Sequence, residues 1–309
     1  MTVYDCTLFF NENDIFEIRL NEHWNFVDKF IVVEAGETHT GLKKPFNFDH
    51  ERFKPYASKI EYRSFDSFDT AMSENPDLNC KNGRIAHGDH LDWARDHFQF
   101  NYTMKVLEEL GATDDDLVYY SCCDEIINER AFLEVSEIFK DKEATYDLYH
   151  CITKGPGGII GKTRPTVNFN LVFYAYKLNA LRFKAEDGYQ AGSIAEYATL
   201  KQILPATMRS YCLTTHPCIK DAGWHFTYAD NTDGDRVHQK MQSWAHAKDE
   251  RATADGRRRC DLNKNEALSH LFLEYKMSFP ECVVPIKLET HPAYLVNNQE
   301  KFKDLIVTL

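Results

Sequence analysis

The segment Tyr119–Arg130, YYSCCDEIINER, runs from an apolar, strand-like stretch into two adjacent acids, Asp124 and Glu125. In open α/β sheets ligands bind outside the carboxyl ends of the strands, and these acids stand at that end of Leu117–Ser121. Two hard oxygen donors there suit Mg²⁺ or Mn²⁺, which can in turn hold a diphosphate. The same acids could instead open the next helix, where the dipole favours negative charge. His225, within GWHFTY, would complement Asp124 as a borderline ligand, or serve as a packed, hydrogen-bonded histidine. Lys240, one element later, could meet a phosphate as a point charge or lie on a solvated helix face. Arg95, inside a helical stretch, could face a phosphate or pair with an acid. In Ala185-Glu186-Asp187-Gly188 two acids precede a glycine turn; an acid there could act as a general base or simply shape the turn.

Two other patterns lead elsewhere. Gly155–Thr163, GPGGIIGKT, ends like a phosphate-binding loop, but Pro156 stands where its first glycine belongs. The following RPTVNFNLVF is strand-like where that loop needs a helix. His87, Asp89 and His90, with Asp92 and His97 nearby, could build a metallophosphoesterase centre. No second His/Asp cluster has ligand spacing, and a polar helix start is the simpler reading.

The elements that must position these residues alternate in the first half. Strands are expected at Val3–Phe10, Phe30–Glu34, Lys59–Arg63 and Asp116–Ser121. Helices are expected at Asp14–Val27, Leu91–Leu110 and Glu129–Phe139. Such alternation implies an α/β fold with a mostly parallel, doubly wound sheet. In the second half Tyr146–Ile152, Val167–Tyr176 and Cys218–Tyr228 read as strands. Ser193–Leu204, Asp235–Lys248 and Lys264–Lys276 read as helices, and the charged stretch Lys248–Asp261 as an exposed loop. With no repeat and no long Pro- or Gly-rich linker, one composite domain over 1–309 is the economical reading.

The 309 residues, 43% of them hydrophobic, are enough for a sizeable core. A net charge of −12 argues against a broad nucleic-acid or anionic-membrane surface, while leaving room for a local basic pocket. Nine cysteines without framework spacing read as reduced thiols. The N-terminus lacks a signal-peptide pattern, and no apolar run approaches the roughly 20 residues of a membrane helix. A cytoplasmic protein is expected.

Together these segments resemble glycosyltransferase family 17, the family of the β-1,4-mannosyl-glycoprotein 4-β-N-acetylglucosaminyltransferases. YDCTLFFNENDIFEIRLNEHWNFVDKFIVVEAGETHTGLKKPFNF is similar to its opening block, and LVYYSCCDEI to its acidic metal motif. AGWHFTYADNTDGDRVHQKMQSWAHAKDE resembles its Gly-Trp-His block with a Lys-bearing helix, and HPAYLVNNQEKFKDLI its closing segment. The resemblance implies a GT-A-type, Rossmann-like central sheet flanked by helices, with a smaller antiparallel acceptor-side portion. Residues 1–128 would form the nucleotide-binding half, and 129–309 the acceptor half and C-terminal helices. The implied activity is inverting transfer of N-acetylglucosamine from a UDP-sugar to a glycan, glycolipid or glycoprotein acceptor, assisted by Mn²⁺ or Mg²⁺. Asp124 and Glu125 match the end of the metal motif and His225 its Gly-Trp-His histidine. Glu34 matches the glutamate ending the second strand, near the nucleotide. Asp187 is the expected base, by position alone. Two residues depart from the pattern: Cys122 stands where the family has Asp, and Ile127 where Pro is usual. A thiol is a poor donor to Mg²⁺, so Cys122 also admits a member that binds a nucleotide-sugar or glycan without turnover. Starting directly at the first strand, the chain looks like a bare catalytic domain from a microbe or virus.

Overall fold

The computed structural model of the chain describes residues 1–79, 91–149, 159–183, 190–209, 216–248 and 257–308. Its elements begin with β1 (Val3–Phe9), α1 (Asn13–His23), β2 (Lys29–Ala35), α2 (His50–Phe53), β3 (Ile60–Phe65), α3 (Phe68–Glu74) and α4 (Leu91–Glu109). There follow β4 (Leu117–Cys122), β5 (Glu125–Ile127), α5 (Glu129–Ile138), β6 (Tyr146–Tyr149), β7 (Ile159–Thr163), β8 (Thr166–Asn170), β9 (Val172–Ala175) and β10 (Leu181–Phe183). The remainder comprises β11 (Gln190–Glu196), α6 (Tyr197–Gln202), α7 (Pro205–Arg209), β12 (Cys218–Ile219), β13 (Gly223–Thr227), α8 (Asp235–Ser243), α9 (Lys264–Glu274) and α10 (Ala293–Asn297).

The main sheet has the order β12-β8-β11-β4-β1-β2-β3. Its β4-β1-β2-β3 part is parallel throughout, while β11 runs antiparallel to both β4 and β8. The mostly parallel α/β sheet expected from strand–helix alternation is therefore present. The two expected halves share it, since β8, β11 and β12 come from beyond residue 128. A second sheet, β10-β9-β13-β5, is antiparallel at both edges and parallel between β13 and β9. A separate hairpin-like pair joins β6 to β7.

The central strands β1, β2 and β4 are buried on both faces, which is why they read as apolar runs. Alternation sorts them: Leu117 and Tyr119 of β4 pack with Phe16, Leu20, Phe132 and Val135 of α1 and α5. Val118 and Tyr120 pack instead with Met104 and Leu107 of α4, Leu200 of α6 and Met208 of α7. Each fully buried Phe or Leu in these layers contributes about 1.5–3 kcal/mol. The second sheet has its own core, where Ile126, Tyr174 and Phe226 meet Leu295 of α10 and the nearby Phe302.

Three expectations fail for identifiable reasons. Ser193–Leu204 is not one helix: residues to Glu196 extend as β11, and only Tyr197–Gln202 are helical. Hydrogen bonding on both edges, to β4 and β8, overrides helix-friendly Ala and Glu. Val167–Tyr176 breaks at Leu171 into β8 and β9, which belong to different sheets. Cys218–Tyr228 likewise splits into β12 and β13. The glycine-rich loop at 155–158 lies outside the described residues, and its end, Ile159–Thr163, is the strand β7 rather than a helix start.

The winding β1→β2→β3, followed by a return through α4 to β4 on the other side of β1, makes a topological switch point between β1 and β4. In doubly wound sheets a crevice opens at the strand carboxyl ends at such a point. The acids of the β4–β5 turn stand at its mouth.

Candidate functional site

A cavity of about 460 Å³ occupies that crevice, a size suited to a small-molecule ligand. Its floor is formed by Leu8–Phe10 at the end of β1 and by Cys122–Glu125 at the end of β4, joined by His225, Lys240 and Arg209. Aromatic groups line its walls, among them Trp93 and Phe100 of α4, Phe173 of β9, and Trp244 and Tyr275.

The floor is built by strand register. β5 and β13 pair antiparallel with Glu125 opposite His225, and the Phe226 N–H donates to the Asp124 carbonyl at 2.9 Å. Gly223 makes this approach possible. It holds φ at +148°, and a Cβ there would collide with the Ile126 carbonyl oxygen. His225 Nε2 thereby comes within 3.3 Å of Asp124 Oδ1. From α8, Lys240 Nζ donates to Asp124 Oδ2 at 2.9 Å. Burial alone would raise the Asp124 carboxyl, but Lys240 and His225 beside it outweigh burial and hold it far below the usual carboxylate range. Burial would lower the Lys240 ammonium, and Asp124 instead keeps it above its usual value.

Glu125 is engaged separately. Arg209, at the end of α7, forks onto it with Nη1–Oε2 at 3.2 Å and Nη2–Oε1 at 3.3 Å. The Cys122 backbone N–H also donates to Glu125 Oε2 at 3.0 Å. Arg209 Nη2 lies 3.7 Å from Cys122 Sγ. Burial, then the Glu125 charge, push the Cys122 thiol well above its usual pKa, so it is neutral at physiological pH.

Beneath the turn lies a fully buried network. Arg19 Nη1 of α1 donates to the carbonyls of Cys122 at 2.8 Å and Glu125 at 2.7 Å, and Nη2 to Ser121 Oγ at 2.6 Å. Its Nε donates to Asp5 Oδ2 of β1 at 2.9 Å. His23, one turn along α1, contacts the same carboxylate through Nδ1 at 2.7 Å. Asp5, Arg19 and His23 thus clamp the turn that displays Asp124 and Glu125.

Of the residues singled out in the sequence, Asp124, Glu125, His225 and Lys240 converge on this floor. The alternative that the acids open the next helix is not what forms: α5 starts at Glu129 with Asn128 as its cap. Glu34 does not line the cavity. Its carboxylate accepts from Lys44 Nζ, the Asn47 and Phe48 N–H groups and Tyr62 Oη, pinning the 44–48 loop to the sheet. Arg95 stands behind the wall, where it donates to the His39 carbonyl at 3.1 Å. Asp92 pairs with Lys248 Nζ at 3.0 Å, and His97 lines the cavity. Asp187, and the His87, Asp89 and His90 set, lie outside the described residues. Sequence reasoning missed Arg209 and the Asp5–Arg19–His23 network. For the network a signal existed: an acid inside the apolar run VYDCTLF, and basic residues four apart on the buried face of α1. Arg209, in PATMRS, carried none.

As a ligand set for the expected divalent cation, Asp124, Glu125 and His225 do not converge on one point. Glu125 turns to Arg209 and to a backbone N–H, and the Lys240 ammonium sits on the second Asp124 oxygen. Cys122 offers a neutral thiol where a carboxylate would complete the set. Among the described residues no three His, Cys, Asp or Glu side chains are grouped to hold a metal ion. The residues as placed do not fit a protein-held divalent cation.

Residues 1–137 match the family described as glycosyltransferase family 17, which ends before the Gly-Trp-His and closing blocks. No curated protein matches the chain. Seventeen chains of solved structures match it. One is titled the crystal structure of 4-diphosphocytidyl-2C-methyl-D-erythritol synthase; it is 11% identical, covers 72% of this chain and 89% of its own, and has a TM-score of 0.34. Among the described residues no helix is long and apolar enough to cross a membrane.

Proposed function

We propose, on the match of residues 1–137 to glycosyltransferase family 17, an inverting glycosyltransferase of GT-A type. It moves N-acetylglucosamine from a UDP-sugar to a hydroxyl group of a glycan acceptor. The observation that carries this reading is the charged floor at the switch point. Asp124 with Lys240, and Glu125 with Arg209, lie together at the carboxyl ends of β1 and β4 in a cavity walled by aromatic groups. That is where an α/β sheet takes a nucleotide, and two cations there suit a diphosphate. The aromatic walls suit a base or a sugar ring.

In the step itself the acceptor oxygen bonds to the anomeric carbon while the bond from that carbon to the diphosphate oxygen breaks. UDP departs with the bonding electron pair, and the hydroxyl proton passes to a carboxylate base. Asp124 and Glu125 are unsuited to that last role, because protonating either would break its ion pair. Asp187 remains the proposed base.

The test is UDP release from UDP-N-acetylglucosamine in the presence of a panel of glycan acceptors, with Asp124→Ala as the comparison. Acceptor-stimulated release that the substitution abolishes supports transfer. Nucleotide binding with no release under any acceptor favours the second reading, a member that binds without turnover, for which Cys122 is the observation.

A further inference from the structure

We propose that Lys240 and Arg209 form a built-in cationic clamp for the diphosphate of the donor, so that this chain binds a nucleoside diphosphate without a divalent cation. The inference rests on the nucleotide-sugar reading of the same cavity.

The two cations reach the floor from different elements, α8 and α7, and each is anchored on one acid of the β4–β5 turn. Each is also held over a ring: Lys240 Nζ lies 5.2 Å from the Tyr228 centroid, and Arg209 Cζ 4.7 Å from that of Phe100. Both are therefore fixed before any ligand arrives, which lowers the ordering cost of binding. Neither exhausts its donors on these anchors. An ammonium has three and a guanidinium five; among the described residues Asp124 takes one from Lys240, while Glu125 takes two and Cys122 Sγ one from Arg209. A diphosphate can accept the remainder without breaking either pair.

A divalent cation faces the opposite situation. The two carboxylates of the turn are already balanced by two cations, and the third position, Cys122, carries sulfur rather than a carboxylate oxygen. To gain two carboxylate ligands, an incoming ion must displace the Lys240 ammonium from Asp124 and turn Glu125 away from Arg209. The gain is small, since a thiol is a poor partner for a hard cation. The ammonium on Asp124 and the guanidinium beside Cys122 thus stand in for the metal that the turn was expected to hold.

Calorimetric titration of UDP and of UMP into the wild-type chain, in EDTA and then in Mn²⁺, tests this directly. The expected result is UDP binding of equal affinity in both solutions, tighter than that of UMP. Lys240→Met and Arg209→Met should each weaken UDP binding in EDTA on the order of ten- to a hundred-fold, the scale of a lost charge-assisted hydrogen bond. Lys240→Arg should keep most of it, and near-UV circular dichroism would show that each variant is folded. Unchanged UDP affinity in the folded Met variants overturns the clamp. UDP binding that appears only with Mn²⁺ also overturns it, yet leaves the proposed transferase intact. No UDP binding in either solution counts against the transferase reading itself, and the clamp falls with it.

Discussion

Arg19 Nη1 on α1 donates to the Glu125 backbone carbonyl across the sheet end at 2.7 Å, fixing an acid of the cavity floor from behind. Its fork also meets the buried Asp5 carboxylate, so one side chain ties β1, α1 and the β4–β5 turn together. Removing it strands a carboxylate in the core. Arg19→Met should therefore destabilise the chain by about 3–5 kcal/mol, the cost of breaking a buried pair from one side. Urea denaturation measures this, and Asp5→Asn combined with Arg19→Met should recover part of the loss. A loss below about 1 kcal/mol for the single variant would show that the network is not what holds the turn.

Acid should unfold the chain in two stages. Burial lowers His291 to about 4, so this group is neutral when folded while the unfolded chain protonates it near pH 6.5. The unfolded state binds more protons in that window, hence stability is complete above pH 6.5 and falls as pH drops toward 4, by roughly 3 kcal/mol. Burial lowers His23 in the same direction. Asp5 acts later. Burial raises it, but Arg19 and His23 outweigh burial and hold it at about 2, so its contribution is present above pH 4 and lost as pH falls through 2. The slope of unfolding free energy against pH between 4 and 6.5 should be visibly shallower in His291→Gln. An unchanged slope refutes the assignment.

The sequence carried the parallel half of the fold because β1, β2 and β4 are buried on both faces and write themselves as apolar runs. It carried Asp124 and Glu125 as candidates because two adjacent acids end such a run at the sheet's carboxyl edge, although a helix start would have placed acids there too. β11 was illegible for the converse reason: its residues Ala191, Gly192, Ser193 and Ala195 are small, and only pairing with β4 and β8 decides their state. Arg209 could not be found either. Its partner Glu125 is 84 residues away, and nothing local marks a cation that meets its acid only through the tertiary fold.

Gly223 explains why a glycine precedes Trp224 and His225. Gly223→Ala should force β13 away from β5, since the added carbon meets the Ile126 carbonyl oxygen at a φ no alanine favours. We expect a loss of about 1–3 kcal/mol, the range for overpacking, or more if the strands part. UDP affinity should fall as well, because His225 and the Asp124 backbone hold their places through this pairing. Thermal melting and titration on the same preparation separate the two effects. Retained stability with intact binding would mean that the strands accommodate a Cβ.

Cys122→Asp puts the decision about metal into one position. The new carboxylate would stand beside Arg209, whose Nη2 already lies 3.7 Å from the Cys122 sulfur. It would compete with Glu125 for the guanidinium and leave the floor with one net negative charge. Glu125 would then be released to face the cavity together with Asp124, and two or three hard oxygen donors suit Mn²⁺ or Mg²⁺. UDP binding in EDTA should weaken about ten-fold, since the guanidinium is drawn toward a second acid and the added charge repels the diphosphate. Mn²⁺ should restore it in the variant while leaving the wild type unaffected. Equal responses to Mn²⁺ in the two proteins would mean that residue 122 does not set the choice between an ammonium and a divalent ion. The Asp124–Lys240 pair would then have to decide it alone.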